Sequence, residues 1–320
     1  MIIIKNKNIL LIGGTGFIGL HLIRSLLERN CRLTVLSPKN SNATGKLGLA
    51  GRLELVKGDI RDYKCVEECI KNKDIVINLA AIVSPDSHFE PYQDLEVNCR
   101  GQLNILEARK KSNPGAKYIF FGSRAQFGRV KKKDLPISED CCQRPISLYG
   151  IHKQAAENYC RLYKSAFGLN FIMLRMSIVY GPEIKGENKN NIINKFIKKA
   201  LNNERFYVNG YGKDIKDLIY IDDLVDLIIR IIESKVNDGI FNVGSGEKAR
   251  FIDIADNVVK ECGSGSFKAV PFPKDLEKFE LGSFYFDISK AKRAFGWNPR
   301  IKMKEGIRRM VECCKNGKVK

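Results

Sequence analysis

Long apolar runs are missing from this chain of 320 residues. No stretch approaches the roughly 20 consecutive apolar residues of a membrane span, so no transmembrane helix is expected. The opening run from Met1 to Ile4 is broken at Lys5, too short and too early for a secretory signal. Neither CxxC nor a mixed His/Cys ligand spacing occurs, which argues against a bound metal. Histidine is scarce, and His21, His88 and His152 read as ordinary helix or loop residues without a catalytic part. Acidic residues are outnumbered 36 to 55 by Lys and Arg, a formal net charge of +19. The basic residues are scattered apart from one cluster at Arg129 to Lys133, and no nucleic-acid motif accompanies them. A lysine-rich solvated surface is therefore favoured over a nucleic-acid surface, although a phosphate-bearing substrate would gain from the charge. No internal repeat is present.

Ten cysteines are there, but their placement speaks against a disulfide framework. Cys141-Cys142 and Cys313-Cys314 are adjacent pairs, and Cys65 and Cys69 share a helix face. Reduced thiols in a cytoplasmic protein fit best. Hydrophobic content of 44% and charged content of 28% are ordinary for a globular protein, and the length suits about two domains.

Short apolar runs alternate with helical patterns through the first half. Asn8 to Ile12, Cys31 to Leu36, Leu53 to Lys57, Asp74 to Leu79, Tyr118 to Phe121 and Asn170 to Val179 read as strands. Asp74 to Leu79 is almost continuously apolar, as in a parallel strand covered on both faces. Helices are expected at Phe17 to Arg29, Asp62 to Asn72, Asp94 to Lys111 and Leu148 to Phe167, so the fold is α/β with a parallel sheet. The Asn-, Lys- and Glu-rich stretch Glu183 to Asn191 marks the main boundary. Beyond it the pattern is less regular, with a helix from Leu224 to Glu233 capped by Asp222 and a strand from Gly239 to Val243.

Gly13-Gly14-Thr15-Gly16-Phe17-Ile18-Gly19 joins the first strand to the first helix. Gly13 permits a sharp turn, Gly16 lets backbone approach a pyrophosphate, and Gly19 lets the helix lie close to the strand. The order of strand, glycine turn and helix is that of a dinucleotide site.

Tyr149-Gly150-Ile151-His152-Lys153 places a phenol and an ammonium at i and i+4, on one helix face. A phenol is a poor base near neutral pH, and an adjacent positive charge favours its phenolate, which makes a proton shuttle. Ser123 follows the apolar strand Tyr118 to Phe121, where a parallel sheet delivers residues to its ligand crevice. Its hydroxyl is placed to bond the substrate oxygen that Tyr149 deprotonates.

These features, with Asp59-Ile60, Leu79-Ala80-Ala81, Val97-Asn98-Cys99-Arg100-Gly101, Ser123 to Gly128, Tyr180-Gly181-Pro182, Lys216-Asp217 through Asp222-Asp223, and Phe241-Asn242-Val243-Gly244, resemble the extended short-chain dehydrogenase/reductase family. Its members include NAD(P)-dependent nucleotide-sugar epimerases and dehydratases. The resemblance runs nearly the whole chain, as far as Gly296-Trp297-Asn298-Pro299-Arg300. It implies a Rossmann-type doubly wound parallel sheet over residues 1–182, completed by 217–246, and a smaller α/β substrate domain over 183–320. It also implies a catalytic triad of Ser123, Tyr149 and Lys153. On the cofactor side it implies Gly13, Gly16, Phe17, Ile18 and Gly19 at the pyrophosphate, and Asp59 and Ile60 at the adenine. Leu79, Ala80 and Ala81 would line the cleft, Asn98 would stand near the nicotinamide, and Lys153 would hold the nicotinamide ribose. Ser84, Ser123, Arg124, Ile178 and Lys216 fall on the substrate side. A homodimer is implied, built from the helices Asp94 to Lys111 and Leu148 to Phe167.

The departures narrow the reading. Arg124 and Ala125 stand where family dehydratases carry an acid pair, so dehydration is disfavoured. Ser37-Pro38-Lys39 ends the second strand where an acid would hold the ribose 2′-OH of NAD. A hydroxyl and a cation there lean the choice towards NADP. Ile178 replaces a family Asn, and Lys216 replaces an Arg, giving a nucleotide diphosphate a point charge instead of a bidentate fork. The leading expectation is a nucleotide-sugar epimerase acting by transient oxidation of a sugar hydroxyl. An NADPH-dependent 4-ketoreductase and a non-catalytic cofactor-binding protein are its rivals.

Overall fold

The computed structural model describes residues 4–38, 52–83, 89–184 and 191–316. Its strands in chain order are β1 (Asn8–Ile12), β2 (Arg32–Ser37), β3 (Glu54–Lys57), β4 (Ile75–Asn78), β5 (Lys117–Ser123), β6 (Ile172–Met176) and β7 (Ile178–Tyr180). They continue with β8 (Arg205–Val208), β9 (Ile215–Lys216), β10 (Leu218–Tyr220), β11 (Gly239–Val243), β12 (Ala249–Arg250) and β13 (Ser266–Ala269). Two compact units divide the chain. The first comprises Met1–Gly128, Cys142–Arg175 and Val225–Phe241, and the second comprises Arg129–Cys141, Met176–Leu224 and Asn242–Lys320.

A seven-stranded sheet organises the first unit, in the order β11-β6-β5-β4-β1-β2-β3. Its first six strands thus stand 3-2-1-4-5-6, the Rossmann order. Parallel registers run through it, with Leu10 opposite both Thr34 on β2 and Val76 on β4. Apolar residues fill β1 because the strand is covered on both faces, and Ile9, Leu10 and Leu11 are wholly buried. Leu10, Val66, Ile105, Phe120 and Ala156 belong to one core cluster joining the sheet to its helices.

The helix Leu148–Phe167 starts where the Ser147 hydroxyl accepts the Gly150 N–H at 3.1 Å, and it stops at Gly168 in the left-handed region. The helix expected over Asp94 to Lys111 is interrupted. A short helix Pro91–Leu95 passes into a π-turn at Glu96–Arg100 before the helix Gly101–Ser112. A π-turn shifts the phase of a helix face, and here Asp94 and Asn98 are both buried.

In the second unit β7 pairs with β10 and β8 with β13, both parallel, while β9 and β12 are antiparallel. Phe196 on the helix Ile192–Leu201 stacks on Phe206 of β8 at 4.3 Å between ring centroids. Trp297, the chain's one tryptophan, is buried and donates Nε1–H to the Asp223 carbonyl at 3.0 Å. The helix Ile221–Glu233 follows β10 directly, so Asp222 lies inside its first turn and does not cap it.

Candidate active site

In an open parallel sheet the ligand crevice forms outside the carboxyl ends of the strands, where the order reverses. Here that point lies beyond β1, which has β2 on one side and β4 on the other. Gly13 turns there with φ of 75°, and a Cβ on it would lie 2.7 Å from the Ala80 nitrogen. A Cβ on Gly19 would lie 2.2 Å from the Gly14 carbonyl oxygen, so the close approach of helix to turn excludes any side chain. Gly16 differs: its Cβ position meets only the Gly13 oxygen, at 3.5 Å. It is the N-cap of the helix Phe17–Leu27, with no side-chain cap and no acid in the first turn. The N–H groups of that turn therefore meet neither a capping side chain nor an acid, which suits them to an anion. A dinucleotide's pyrophosphate suits this cradle.

The other cofactor-side residues follow the same strand ends. The Ala80 N–H donates to Asn78 Oδ1 at 3.1 Å and the Leu79 N–H to the Ile12 carbonyl at 2.9 Å, while Ala81 is half-buried beside them. Asp59 is clamped by Arg61 at 2.7 and 2.9 Å, which holds its carboxyl below the usual range, and Ile60 is buried with its side chain against Gly101. Ser37 is 2% exposed and its hydroxyl lies 2.7 Å from that of Thr15. Of the two residues behind the NADP expectation, one is thus turned inward, and Lys39 lies outside the described residues, as does Ser84.

Ser123 ends β5 and caps a 3-10 turn at Arg124–Phe127. Its hydroxyl accepts the Ala125 N–H at 3.1 Å, and its own N–H donates to Gln126 Oε1 at 2.8 Å, a reciprocal capping box. Gln126 in turn donates to Glu157, which binds Arg175 at 2.7 and 3.0 Å and Arg161 at 2.8 Å. Gln126, Glu157 and Arg175 form the buried foundation under Ser123. Sequence reasoning overlooked it, although the S-x-x-Q spacing and the placement of Glu157 four residues after Lys153 were visible.

Lys153 is 3% exposed. Its ammonium donates to the Phe121 carbonyl at 2.9 Å and lies 5.8 Å from the Tyr149 ring centroid. Burial pulls the ammonium down to about 8, an effect that Asp94 opposes. The Tyr149 phenol is pushed up to about 12 by burial, against a hydrogen bond from Ser123 that favours the phenolate. The expected lowering by Lys153 is therefore not the dominant effect here, because desolvation of the phenolate is larger. Asn98 donates to the Ile82 carbonyl at 2.8 Å and to Asp94.

On the substrate side, Arg124 is buried in the 3-10 turn after Ser123. Ile178 and Lys216 belong to the second unit, where Ile178 starts β7 half-buried. The Lys216 ammonium is bound by Glu280 at 2.7 Å and by the Gly282 carbonyl at 3.1 Å, so its charge is already partnered. Among the described residues no cluster of His, Cys, Asp and Glu is placed to hold a metal ion. A cavity of about 700 Å³ opens in the first unit at the opposite ends of the strands, lined by Lys73, Asp74, Arg109, Lys117 and Lys235 among others. Its Lys73 is bound to Thr34 and its Lys117 to the carbonyls of Ile231 and Ser234, and the residues of the site just described do not line it.

Comparison with known proteins agrees with this geometry. A putative UDP-glucose 4-epimerase of Methanocaldococcus jannaschii is 33% identical, over 96% of this chain and 98% of that protein. The crystal structure of a UDP-glucose 4-epimerase from Thermotoga maritima with UDP-glucose superposes with a TM-score of 0.85 at 28% identity, covering 97% of this chain and 99% of that one. That of the Thermus thermophilus UDP-glucose 4-epimerase in complex with NAD gives 0.84 at 26%, covering 95% and 98%. The family model described as the NAD dependent epimerase/dehydratase family matches residues 9–244, from the first strand to the glycine that follows β11, and the chain belongs to that family.

Proposed function

We propose that the chain is an NAD-dependent nucleotide-sugar 4-epimerase, with Ser123, Tyr149 and Lys153 as its catalytic residues. The observation that carries this is the buried Lys153 ammonium, which lies 5.8 Å from the Tyr149 ring centroid and donates at 2.9 Å to the carbonyl of Phe121, two residues before Ser123 ends β5. The similar proteins named above as UDP-glucose 4-epimerases support the substrate class. When bound, the nicotinamide supplies a reversible hydride acceptor. Ser123 orients the sugar hydroxyl, and Tyr149 takes its proton as the carbinol carbon is oxidised. The phenol must first lose its own proton, and Lys153 is the chain's own positive charge beside it. Once the keto sugar has turned over, Tyr149 returns the proton to the same oxygen. Lys153 would also hold the nicotinamide ribose.

NAD is the proposed cofactor. The inward-facing Ser37 and the NAD complex of the Thermus thermophilus enzyme support it over NADP. The ten free thiols favour a reducing, cytoplasmic setting, and among the described residues no helix is long and apolar enough to cross a membrane. Exposed Tyr92, Leu95, Ile151 and Leu162 on the helices Pro91–Leu95 and Leu148–Phe167 support a homodimer through that face.

The test is to incubate the purified protein, with NAD and then with NADPH, with UDP-glucose, UDP-galactose and a 4-keto nucleotide sugar, and to follow the sugar ring by NMR. Interconversion of the C4 epimers without net consumption of cofactor is expected. Tyr149→Phe should lower turnover by about 10²- to 10⁴-fold while NAD still binds. One-way reduction of the keto sugar with NADPH, and no exchange of epimers, would establish the ketoreductase instead. Tight NAD binding with no turnover of any of these, unaltered in Tyr149→Phe, would establish a binding protein.

A further inference from the structure

The cavity at the amino ends of the strands is lined by five cationic side chains, those of Lys7, Lys73, Arg109, Lys117 and Lys235, against the one carboxylate of Asp74. That carboxylate is already occupied, with Lys7 Nζ at 2.8 Å on Oδ1 and the Asn8 N–H at 2.8 Å on Oδ2. The remaining cations have no such partner. Arg109, 1% exposed, donates from Nη2 to the carbonyls of Ala116 at 2.9 Å and Asn170 at 3.1 Å, while its Nε and Nη1 have no hydrogen-bond partner. Its guanidinium lies 4.8 Å from the centroid of the Tyr118 ring. Lys117, half-buried at the start of β5, donates to the carbonyls of Ile231 and Ser234 at 2.8 and 2.7 Å. Lys73 donates at 2.7 Å to the Thr34 hydroxyl, which itself donates to Glu54. Lys235 is exposed and makes no ion pair among the described residues.

The plainest account of these cations is that they answer helix ends. The helices Gly101–Ser112, Leu148–Phe167 and Ile221–Glu233 finish here, and Asn113, Gly168 and Ser234 just beyond them line the cavity. A helix C-terminus carries about half a negative charge, so three of them supply roughly 1.5 charges, felt only within the last turn. The lining holds four positive charges in excess, more than the helix ends neutralise. Burial lowers the Lys117 ammonium to about 8, and no acid offsets that loss. A cation held out of water by neutral acceptors gains from an anion brought to it. The cavity's volume of about 700 Å³ suits a small molecule, since such sites span about 300–1,000 Å³, and Ile75, Pro114 and Ile232 make part of its wall apolar. We propose that this cavity is a second ligand site, built for a small organic molecule that carries a phosphate or diphosphate, which Lys117 and Lys235 bind and the charge of Arg109 favours. It is separate from the site of Ser123, Tyr149 and Lys153 and does not depend on the reading of that site, because Lys117 and Ser123 stand at opposite ends of β5.

The test is calorimetric titration of the full chain with ADP and, separately, with inorganic pyrophosphate, in wild type, Lys235→Glu and Lys117→Met, with thermal melting measured on each. NAD is kept saturating so that neither probe competes for the glycine turn. A saturable site is expected in wild type. Each variant removes a charge-assisted contact to the phosphates, so its affinity should fall about tenfold or more. Raising the salt from about 0.05 to 0.3 M should weaken binding several-fold. ADP bound no better than pyrophosphate would place recognition on the phosphates alone, and ADP bound better would add the nucleoside. If Lys117→Met does not fold, Lys235→Glu decides alone, because that side chain is exposed. Binding that is equal in wild type and both variants puts the probe elsewhere and overturns the proposal. No binding of either probe at about 1 mM overturns it as well and leaves these cations as partners of the helix ends. Failure of NAD to bind would count against the catalytic reading alone, because the variants locate the probe whichever other sites it enters.

Discussion

Glu157 and Asp94 are two sealed carboxylates that serve the same helix, Leu148–Phe167, and they are satisfied very differently. Around Glu157 the donors come from Gln126, Gln143, Arg161 and Arg175, and together they hold its carboxyl below the usual range despite burial. Around Asp94 the one donor is the Asn98 amide; His152 Nδ1 lies 3.1 Å from Oδ1, yet neither that nitrogen nor Oδ2 has a hydrogen-bond partner. The contrast separates two needs of the site. A saturated network fixes where Ser123 stands, because every polar atom in it would lose a partner if it moved. An undersaturated carboxylate keeps acceptor capacity that no donor uses, so it holds its surroundings less firmly.

The comparison breaks most readily at Glu157. Replacing it by Ala leaves the Arg175 guanidinium, 1% exposed, without its counterion. A loss of about 3–5 kcal/mol is expected in urea unfolding, read as a lower midpoint at unchanged slope. A loss below about 1 kcal/mol would mean that the network is no more saturated than that of Asp94. Gln126→Ala removes the acceptor of the Ser123 N–H and one donor to Glu157, and should cost about 1–3 kcal/mol. Its turnover should fall with little change in KM, because Ser123 is displaced from the reacting oxygen.

Acid sharpens the same contrast. The folded-state pKa of Glu157 is depressed, so its contribution is present above the unfolded value of about 4.5 and is lost as pH falls below that towards the lowered folded value. Glu157→Gln should lack that acid limb in a stability-against-pH series. The smallest effect on stability is expected at Gly16, in a turn whose glycines repeat the distinction between filled and open space in the backbone. Gly16→Ala should change stability by about 1 kcal/mol or less, its Cβ meeting only one atom at 3.5 Å, yet weaken NAD binding by about tenfold or more, as calorimetry would show. Gly19→Ala, with the Gly14 oxygen 2.2 Å from its Cβ, should disturb the fold itself.

The local features were legible because they are matters of periodicity and spacing. Apolar runs of strand length marked β1, β4 and β5, and the glycine turn and the i, i+4 pair of Tyr149 and Lys153 needed nothing from distant residues. Even the span of the helix Leu148–Phe167 was readable, from Leu148 to the glycine that ends it. The helix over Asp94 to Lys111 was not, because a π-turn leaves no mark in an amphipathic pattern.

By itself, then, the sequence determined the alternation of strand and helix, the turn that receives an anion, and which residue types stand at the carboxyl ends of the strands. Backbone geometry and side-chain period dictate these over a few residues. Only the tertiary structure decided that Ser37 faces Thr15, that Lys216 is taken by Glu280, that burial holds the proton on Tyr149, and that His152 meets Asp94. Those outcomes depend on desolvation and on hydrogen bonds between residues far apart in the chain, and neither exists until the layers have closed around them.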